Sequence, residues 1–447
     1  MTLRCHLPMS HGALLAAAAV LWPMPELLAA AAAKESSKAG EVAAEVENED
    51  EPGRRSFLGR LFKRDSDNAP VSTAEEEKKE EEPKASSSSS SGKRESISIS
   101  MNPKDVTSSA KKSTVETREP APDENEPPAV LPSSGDGGWD LVKINGRDYV
   151  TAESVHRFYR FSTYKVEEKH VWLRSNTLIL KAQIGSQELL INNVKFILSY
   201  PVQESAGRPL FSRLDLCKLI DPVLRPSYIG DGQLFDTVVL DAGHGGHDVG
   251  ARGVYGYEKD YALKMVLAVK KELEKRGFKV ILTRSNDVFI TLSGRVAIAN
   301  QTPRSIFVSI HFNSGGSSEA SGIETFALTP QGSSATFSRG GGYNASGLTG
   351  NSHDSANIAL ATAVHAMVVS RFKFVDRGIK RAQWSVLTGC KKPGILFEGG
   401  FVTNGPECRL IASDNYRESV GGAMADAIVN YKKALESAAR RRLGSTR

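Results

Sequence analysis

The stretch TVVLDAGHGGHDVG, which runs from Thr237 to Gly250, decides how the rest of the chain is interpreted. Its apolar start ends at Asp241, and His244, His247 and four glycines follow it. This pattern is typical of a buried strand that delivers polar side chains to the rim of a sheet. On this stretch alone the two histidines are equally eligible as ligands, so the choice between them depends on what downstream segments bring to the same rim.

From about residue 234 onward, strand patterns alternate with amphipathic helix patterns. Strands are predicted at 237–242, 278–284, 305–313, 323–329 and 394–401, and helices at 259–277, 292–301, about 354–372 and about 416–435. The first of these helices carries apolar residues on or near one face and is closed by Gly277. The alternation predicts an α/β fold, in which a mixed, largely parallel sheet carries helices on both faces.

Polar residues stand at the carboxyl ends of three predicted strands, namely His244, His311 and Glu398, and Glu258 directly precedes the first helix. Open α/β sheets bind their ligands outside those strand ends, so these side chains can converge. Two imidazoles and one carboxylate are the protein ligands of a catalytic zinc ion that keeps a fourth position open. We therefore predict a zinc site formed by His244, Glu258 and His311.

Zinc-assisted hydrolysis also needs a group that moves protons. Zinc lowers the pKa of bound water to about 7, and a neighbouring carboxylate can accept the proton and pass it to the departing amine. Glu398 is the candidate for this role, and Asp241 is a candidate for orienting one of the histidines. Each residue also has an ordinary structural interpretation, since His244 can cap a turn, His311 can lie in the core and Glu258 can favour a helix N-terminus.

Several sequence blocks in this region resemble the zinc-dependent N-acetylmuramoyl-L-alanine amidases of the AmiC-like, amidase type 3 family. The resemblance covers residues 236–433 and is carried by DAGHGGHDVGARG, EKD, LTR, LSGRVAIAN, VSIHFNS, GIETFAL, DRGIKRAQWSVLTG and GILFEGGFVTN. It implies that His244, Glu258 and His311 bind zinc and that Glu398 is the catalytic glutamate. It also implies the reaction, which is hydrolysis of the amide between N-acetylmuramic acid and L-alanine of the peptidoglycan stem peptide.

The chain departs from the family pattern at a few positions. Val249 replaces a frequent proline, Gly405 is additional, and a Gly/Ser-rich insertion lies between residues 329 and 353. We predict that this insertion is a flexible loop near the cleft. His247 and His353 are interpreted as surface loop residues, with extra metal ligands or substrate contacts as the alternative. His365 is interpreted as a structural residue within a helix.

The N-terminal third of the sequence predicts a signal peptide followed by a disordered linker. Residues 1–33 resemble a secretory signal peptide whose interrupted apolar run is too short for a comfortable membrane span. No stable membrane span is predicted after cleavage, and an uncleaved signal anchor is the alternative. Residues 34–136 form a predicted disordered acidic and serine-rich linker. Its basic segment RRSFLGRLFKR, residues 54–64, is interpreted as a solvated charge cluster, with contact to an anionic membrane or wall polymer as the alternative.

A small α+β domain is predicted over 137–233, ahead of a catalytic domain at 234–436 and a frayed basic tail at 437–447. Its predicted features include a hairpin at Asn145-Gly146, a helix capped near Thr151, a turn at Asn192-Asn193 and a helix that ends before Pro222. His156 and His170 are interpreted as surface or packing residues. The domain weakly resembles the stalk-like domains related to the N-terminal domain of copper amine oxidases, so an activator or a wall polymer is its expected partner.

Composition narrows the function further. A net charge of +5 and a pI near 8.8 come without a basic stripe that interleaves aromatics, so nucleic-acid binding is not supported. Four scattered cysteines favour free thiols over the one feasible disulfide, Cys390 with Cys408. The sequence therefore predicts an exported amidase of a bacterial periplasm or cell envelope with peptidoglycan as substrate. The alternatives are a zinc peptidase or deacylase acting on another amide, and a catalytically silent wall-binding regulator.

Overall fold

A computed structural model of the chain describes residues 138–337, 340–372 and 374–445. The predicted signal peptide, the linker and the segment RRSFLGRLFKR lie outside these residues. Within them, no helix combines the length and the apolar character needed to cross a bilayer.

The regular elements of the described residues are fifteen strands, eight helices and two short 3-10 helices, Pro226–Tyr228 and Thr349–His353. The strands are β1 Leu141–Ile144, β2 Arg147–Thr151, β3 Thr163–Glu167, β4 His170–Arg174, β5 Ile179–Gln183, β6 Glu188–Ile191, β7 Val194–Ile197, β8 Gln203–Ser205, β9 Arg208–Ser212, β10 Thr237–Ala242, β11 Lys279–Leu282, β12 Ser305–Asn313, β13 Ile323–Leu328, β14 Asp376–Ala382 and β15 Gly394–Phe401. The helices are α1 Ala152–Tyr159, α2 over 213–224, α3 Glu258–Lys275, α4 Leu292–Gln301, α5 Asp354–Phe372, α6 Ser385–Thr388, α7 Gly405–Ala412 and α8 Asp414–Ser445.

The main sheet has eleven strands in the order β11-β10-β12-β15-β13-β14-β7-β6-β5-β4-β3, and its central pairs β10–β12 and β12–β15 are parallel. The remaining strands form a second sheet in the order β1-β2-β9-β8. Strand β7 of the predicted small domain pairs with β14 of the predicted catalytic domain, so one sheet runs across the boundary expected near residue 233. The division into domains at that residue stays a prediction.

Alternate residues of the central strands face two different cores. Val238 and Leu240 of β10 lie in a large core together with residues of α3, α5 and α8. Val239, between them, lies in a smaller core with residues of α4 and α6. Because side chains alternate along a strand, helices cover both faces of the sheet. The predicted fold class, a mixed sheet with helices on both faces, is confirmed.

Two of the local structures predicted before residue 160 are confirmed. Asn145 and Gly146 both adopt positive φ between β1 and β2, as a tight hairpin turn requires. Thr151 caps α1, since its side chain accepts a hydrogen bond from the Ser154 amide at 3.2 Å.

The predicted end of a helix before Pro222 is wrong. Helix α2 continues to Leu224, and its final part is Asp221–Leu224. Pro222 is tolerated there because it lies in the first turn of that part, where the missing backbone N–H is not required for a hydrogen bond.

The C-terminal end of the chain also differs from the prediction of a frayed tail. Helix α8 continues through Ser445, well beyond residue 437. Its last turns are held by side chains, since Arg441 donates to the Tyr228 hydroxyl at 2.8 Å and Arg442 donates to the carbonyl oxygens of Ile229 and Gly230 at 3.0 and 2.8 Å. Cys217, Cys390 and Cys408 are free thiols.

The described residues of the Gly/Ser-rich insertion, 330–337 and 340–352, are packed rather than extended as an open loop. Asn344 and Asn351 both donate to the Thr329 carbonyl, at 3.0 and 2.9 Å, and Asn344 is buried. The Phe337 ring packs against Phe326 and Trp384, with centroid distances of 5.7 and 5.9 Å. The two asparagine side chains thus anchor this segment by hydrogen bonds to the backbone. The prediction of a flexible loop rested on the low helix propensity of the segment, which does not reveal such contacts.

Candidate metal centre

Three predicted ligands meet at the carboxyl end of the parallel strands. His244 follows β10, His311 lies near the end of β12, and Glu258 begins α3. One ligand atom of each lies within 4.8 Å of those of the other two. The structure thus brings together the three residues that the sequence placed at the ends of different elements.

Glu258 joins the two histidines through a single oxygen. Its Oε1 lies 3.1 Å from His244 Nε2 and 2.9 Å from His311 Nδ1. The same carboxylate accepts from the amides of Ala251, at 2.9 Å, and Phe312, at 3.2 Å. Burial alone raises the pKa of Glu258, but the hydrogen bonds with the two histidines outweigh it and hold the pKa below its usual value. Glu258 is therefore an anion fixed between two imidazoles.

These three groups have the chemistry of a zinc site. Zinc bonds to nitrogen and oxygen of about 2.0–2.2 Å place tetrahedral ligands roughly 3.3 Å apart. The two separations from Glu258 Oε1, 3.1 and 2.9 Å, are of that order, and all three ligand atoms lie within 4.8 Å of one another. The donor set of two imidazoles and one carboxylate is also the set that zinc uses when one position stays open.

Asp248, which the sequence interpretation did not single out, orients the first histidine. Both of its carboxylate oxygens lie 2.9 Å from His244 Nδ1, which leaves Nε2 directed at Glu258. A histidine that binds a metal usually donates its other ring N–H in this way. Asp241, the predicted partner of a histidine, instead accepts from Thr283, Arg295 and Ser309, each at 2.7 Å. Asp241 thus fixes β10 and β12 to α4, because its side chain points into the smaller core.

Two glycines permit the close approach of backbone and ligands. A Cβ atom on Gly243 would lie 2.4 Å from His311 Cε1. A Cβ atom on Gly250 would lie 2.6 Å from His244 Cδ2 and 2.7 Å from Glu258 Oε2. Any larger residue at either position would displace a ligand, so these positions require glycine for steric reasons.

Glu398 lies beside the three ligands on the neighbouring strand. In the register of β12 with β15 it pairs with His311. Its Oε2 is buried and has no hydrogen-bond partner among the described residues. Burial raises the pKa of Glu398 well above its usual value, and the negative charges of Glu258 and Glu324 raise it further. A carboxyl with one oxygen that is shielded from solvent and unpartnered is a candidate to exchange a proton with a bound molecule.

Glu324 is a second acidic residue at the site that the sequence interpretation missed. It pairs with Glu398 in the register of β13 with β15 and is buried. Arg377 donates to its Oε1, and Lys380 Nζ lies 3.1 Å from the same atom. The signal that could have revealed it is the single charge within the otherwise uncharged strand segment IETFAL.

Three further histidines of the described residues lie outside this cluster. His247 packs on Phe289, with ring centroids 4.2 Å apart. His353 is buried at the end of the short 3-10 helix Thr349–His353, where its ring contacts the carbonyl oxygens of Asp231 and Lys391, so its interpretation as a surface loop residue is wrong. His365 is fully buried in α5, between Thr325 and Asp376, at 2.9 Å from each. The first stretch alone left His244 and His247 equally eligible. In the structure only His244 lies with Glu258 and His311, whereas His247 lies on Phe289.

We expect Asp248→Asn to weaken zinc binding by about tenfold or more, because the neutral amide holds the imidazole less firmly and makes it a poorer ligand. A competition titration against a chromophoric zinc chelator measures the change. Asp236→Asn is the control, since Asp236 pairs with Arg304 at the opposite end of β10 and touches no ligand. Unchanged zinc affinity in the Asp248 variant would show that this contact does not tune the site.

Comparison with known proteins places this region among cell-wall amidases. Residues 238–430 match the protein family described as N-acetylmuramoyl-L-alanine amidase. The uncharacterized protein YqiI of Bacillus subtilis (strain 168) is 34% identical over 227 residues, which cover 50% of this chain and 98% of that protein. The N-acetylmuramoyl-L-alanine amidase AmiA of Escherichia coli (strain K12) is 30% identical over 218 residues, which cover 44% of this chain and 75% of AmiA. The amidase LytC of Bacillus subtilis (strain 168) is 30% identical over 196 residues, which cover 44% of this chain and 35% of LytC.

Proposed function

The chain belongs to the N-acetylmuramoyl-L-alanine amidase family, and we propose that it hydrolyses the amide between N-acetylmuramic acid and L-alanine in peptidoglycan. The observation that carries the proposal is the convergence of His244, Glu258 and His311 within 4.8 Å, inside the matched residues 238–430. Glu398, whose Oε2 is buried and has no partner among the described residues, lies on the strand next to His311.

His244, His311 and Glu258 would hold a zinc ion in this proposal, since His244 Nε2 and His311 Nδ1 both face the Glu258 carboxylate. When bound, the ion supplies a Lewis acid that activates water and polarises an amide carbonyl at neutral pH. Asp248 keeps His244 in the tautomer that presents Nε2. The amides of Ala251 and Phe312 keep Glu258 ionised in a fixed position.

Glu398 is the general base and then the general acid. It accepts a proton from the attacking water as the oxygen bonds to the lactyl carbonyl carbon. It passes that proton to the nitrogen of L-alanine as the carbon–nitrogen bond breaks. The products are the lactyl carboxyl group on the glycan and a peptide with a free amino terminus. Proton transfer of this kind contributes about 10²- to 10⁴-fold to the rate.

The location of the protein and the role of residues 137–233 are inferred from the sequence. We propose that the protein is exported to the periplasm or cell envelope, as the signal-like residues 1–33 and the location of peptidoglycan both require. An activator or wall polymer that binds residues 137–233 is part of the same proposal.

Mass analysis of purified sacculi after digestion tests the proposed bond specificity. We expect released peptides that begin with a free L-alanine amino group, and glycan strands that keep unsubstituted lactyl groups. Release of intact muramoyl-peptides alone would reject the amidase assignment. Cleavage within the peptides would favour the alternative of a zinc peptidase, and absence of any cleavage would favour a silent wall-binding protein.

A further inference from the structure

Arg284 is a buried arginine beside the metal centre that takes no part in the proposed proton transfer. It follows β11, the edge strand of the main sheet next to β10, and is only 3% exposed. Within the described residues it donates four hydrogen bonds, and all four acceptors are backbone carbonyl oxygens. Buried charges are normally paired with an opposite charge. The choice of these acceptors therefore points to a role other than neutralising a carboxylate.

Two of the four carbonyl groups belong to residues that adjoin the clustered ligands. Arg284 Nη2 donates to the carbonyl oxygen of Gly243, the residue before His244, at 2.7 Å. The same nitrogen donates to the carbonyl oxygen of Lys259, the residue after Glu258, at 2.8 Å. One end of the guanidinium thus joins the loop that carries the first histidine to the helix that carries the carboxylate.

The third ligand is tied to the same point of the backbone. The Gly243 amide donates to the Ile310 carbonyl at 3.1 Å, and Ile310 directly precedes His311. Gly243 therefore accepts from Arg284 and donates to β12. The peptide groups next to all three ligands meet at this glycine, and Arg284 is the side chain that links two of them.

A second buried arginine restrains the same stretch of backbone. Arg295 donates to the carbonyl oxygens of Ala242, at 2.6 Å, and His244, at 2.7 Å. Arg284 Nε also donates to Ala242, at 3.0 Å. Three consecutive carbonyl groups, those of residues 242–244, therefore accept from guanidinium groups. His244 needs such restraint, because its φ of 57° lies in the left-handed region that residues other than glycine rarely adopt.

The two arginines differ in how their charge is balanced. Arg295 is paired with the Asp241 carboxylate at 2.7 Å. Arg284 donates to carbonyl groups, and burial together with the positive charge of Arg295 lowers its pKa. Its position is therefore unfavourable for the charge, and what it gains is the set of hydrogen bonds to the ligand-bearing segments. A planar guanidinium offers several donors in fixed directions, which a lysine does not reproduce.

We propose that Arg284 is a positioning residue of the metal centre. By joining the backbone next to His244 to the backbone next to Glu258, it keeps the two side chains at the spacing that a zinc ion requires. Its hydrogen bonds among the described residues reach no ligand side chain, so it acts through the backbone. The inference rests on the proposed function for the identity of the ion.

Zinc affinity of Arg284→Lys, measured by competition with a chromophoric chelator, tests the proposal. Lysine keeps the positive charge but does not reach both carbonyl groups in the observed directions, so zinc binding is expected to weaken by about tenfold or more. Arg381→Lys is the matched control. Arg381 is also buried and also donates to two carbonyl oxygens, those of Leu328 at 3.3 Å and Lys218 at 2.7 Å, but neither residue adjoins a ligand.

Thermal unfolding separates positioning from stability. Both variants are expected to unfold at a lower temperature than the unaltered protein, since each loses buried hydrogen bonds, but only Arg284→Lys is expected to lose zinc affinity. Unchanged zinc affinity in Arg284→Lys would overturn the proposal, and so would an equal loss of affinity in folded Arg381→Lys. If Arg284→Lys does not fold, Arg284→Gln replaces it in the same comparison, because the glutamine amide removes the buried charge and keeps one donor group.

Cobalt substitution gives a readout that a loss of stability alone does not move. Co²⁺ binds to nitrogen and oxygen sites of the kind that hold zinc, and its visible absorption bands report the geometry of its ligands. The bands of Arg284→Lys are expected to differ in position or intensity from those of the unaltered protein, whereas those of Arg381→Lys are expected to match them. Identical spectra in all three proteins would count against a positioning role and reject it.

Metal binding and turnover are measured separately, so the two proposals can fail separately. With saturating zinc, Arg284→Lys is expected to lower kcat on sacculi by about tenfold and to leave KM unchanged, because it alters the metal centre and not the contacts of the substrate. A raised KM with normal kcat would reject the positioning role. If the unaltered protein binds zinc but cleaves nothing, the proposed function fails, whereas zinc affinity and the cobalt spectra still test Arg284. If it cleaves sacculi and Arg284→Lys matches it in affinity and spectrum, only the role of Arg284 fails.

Discussion

Glu398→Gln is expected to retain zinc and to lose turnover by about 10²- to 10⁴-fold. The amide has the same shape as the carboxyl group but cannot accept the proton of the attacking water. Zinc binding is retained because Glu398 lies on the strand next to His311 and is not one of the three clustered ligands. Metal analysis of the purified variant gives the zinc content, and release of free amino termini from sacculi gives the rate.

The control is Glu319→Gln, which changes an exposed glutamate in the loop that follows β12. This variant is expected to keep both zinc and full activity. Full activity in the Glu398 variant would remove Glu398 from the proposed mechanism. Loss of zinc together with activity would instead make Glu398 part of the metal site.

Removal of zinc by a strong chelator is expected to abolish turnover and to lower the thermal unfolding temperature, and added zinc is expected to restore both. A ligand that binds only the folded state stabilises it by about 2.7 kcal/mol when its free concentration is one hundred times Kd. Without the ion, Glu258 faces His244 and His311 alone, and nothing positions the attacking water. Calorimetry and the peptide-release assay measure the two effects.

His311→Ala distinguishes a specific site from general metal dependence. We expect the variant to bind zinc weakly and to stay inactive at zinc concentrations that restore the chelated protein. His247→Ala is the matched control, since it removes a histidine from the same loop as His244 and is expected to respond to zinc as the unaltered protein does. Recovery of the His311 variant at the same zinc concentration would exclude His311 as a ligand.

The parts of the fold that the sequence predicted are those specified by local signals. The alternation of strand and helix patterns predicted the class of the fold, and the segment LSGRVAIANQ predicted α4 with its observed bounds. The three clustered side chains were predictable because each follows an apolar strand or begins a helix at the same edge of a parallel sheet. Position at an element end was therefore a guide to Glu258 and His311, but it did not distinguish His244 from His247.

The remaining features depend on contacts between distant segments. Asp241 and Asp248 are equally plausible partners of a histidine by distance along the chain, and only the direction of each side chain selects Asp248. The pairing of Glu324 with Glu398 requires β13 to lie next to β15, which no local pattern specifies. The packed insertion depends on two asparagines that reach back to Thr329.

The pairing of β7 with β14 has a consequence for how the chain folds. The Lys195 amide donates to the Asp376 carboxylate at 2.8 Å across 181 residues of sequence, and Phe196 pairs with Ile379. Contacts of such high sequence separation slow folding, because the entropy of closing the loop must be overcome before they form. During synthesis, β7 is complete long before β14 exists, so its outer edge stays open to pairing with other chains. The edge of β7 is therefore paired only after β14, at Asp376–Ala382, has been synthesised.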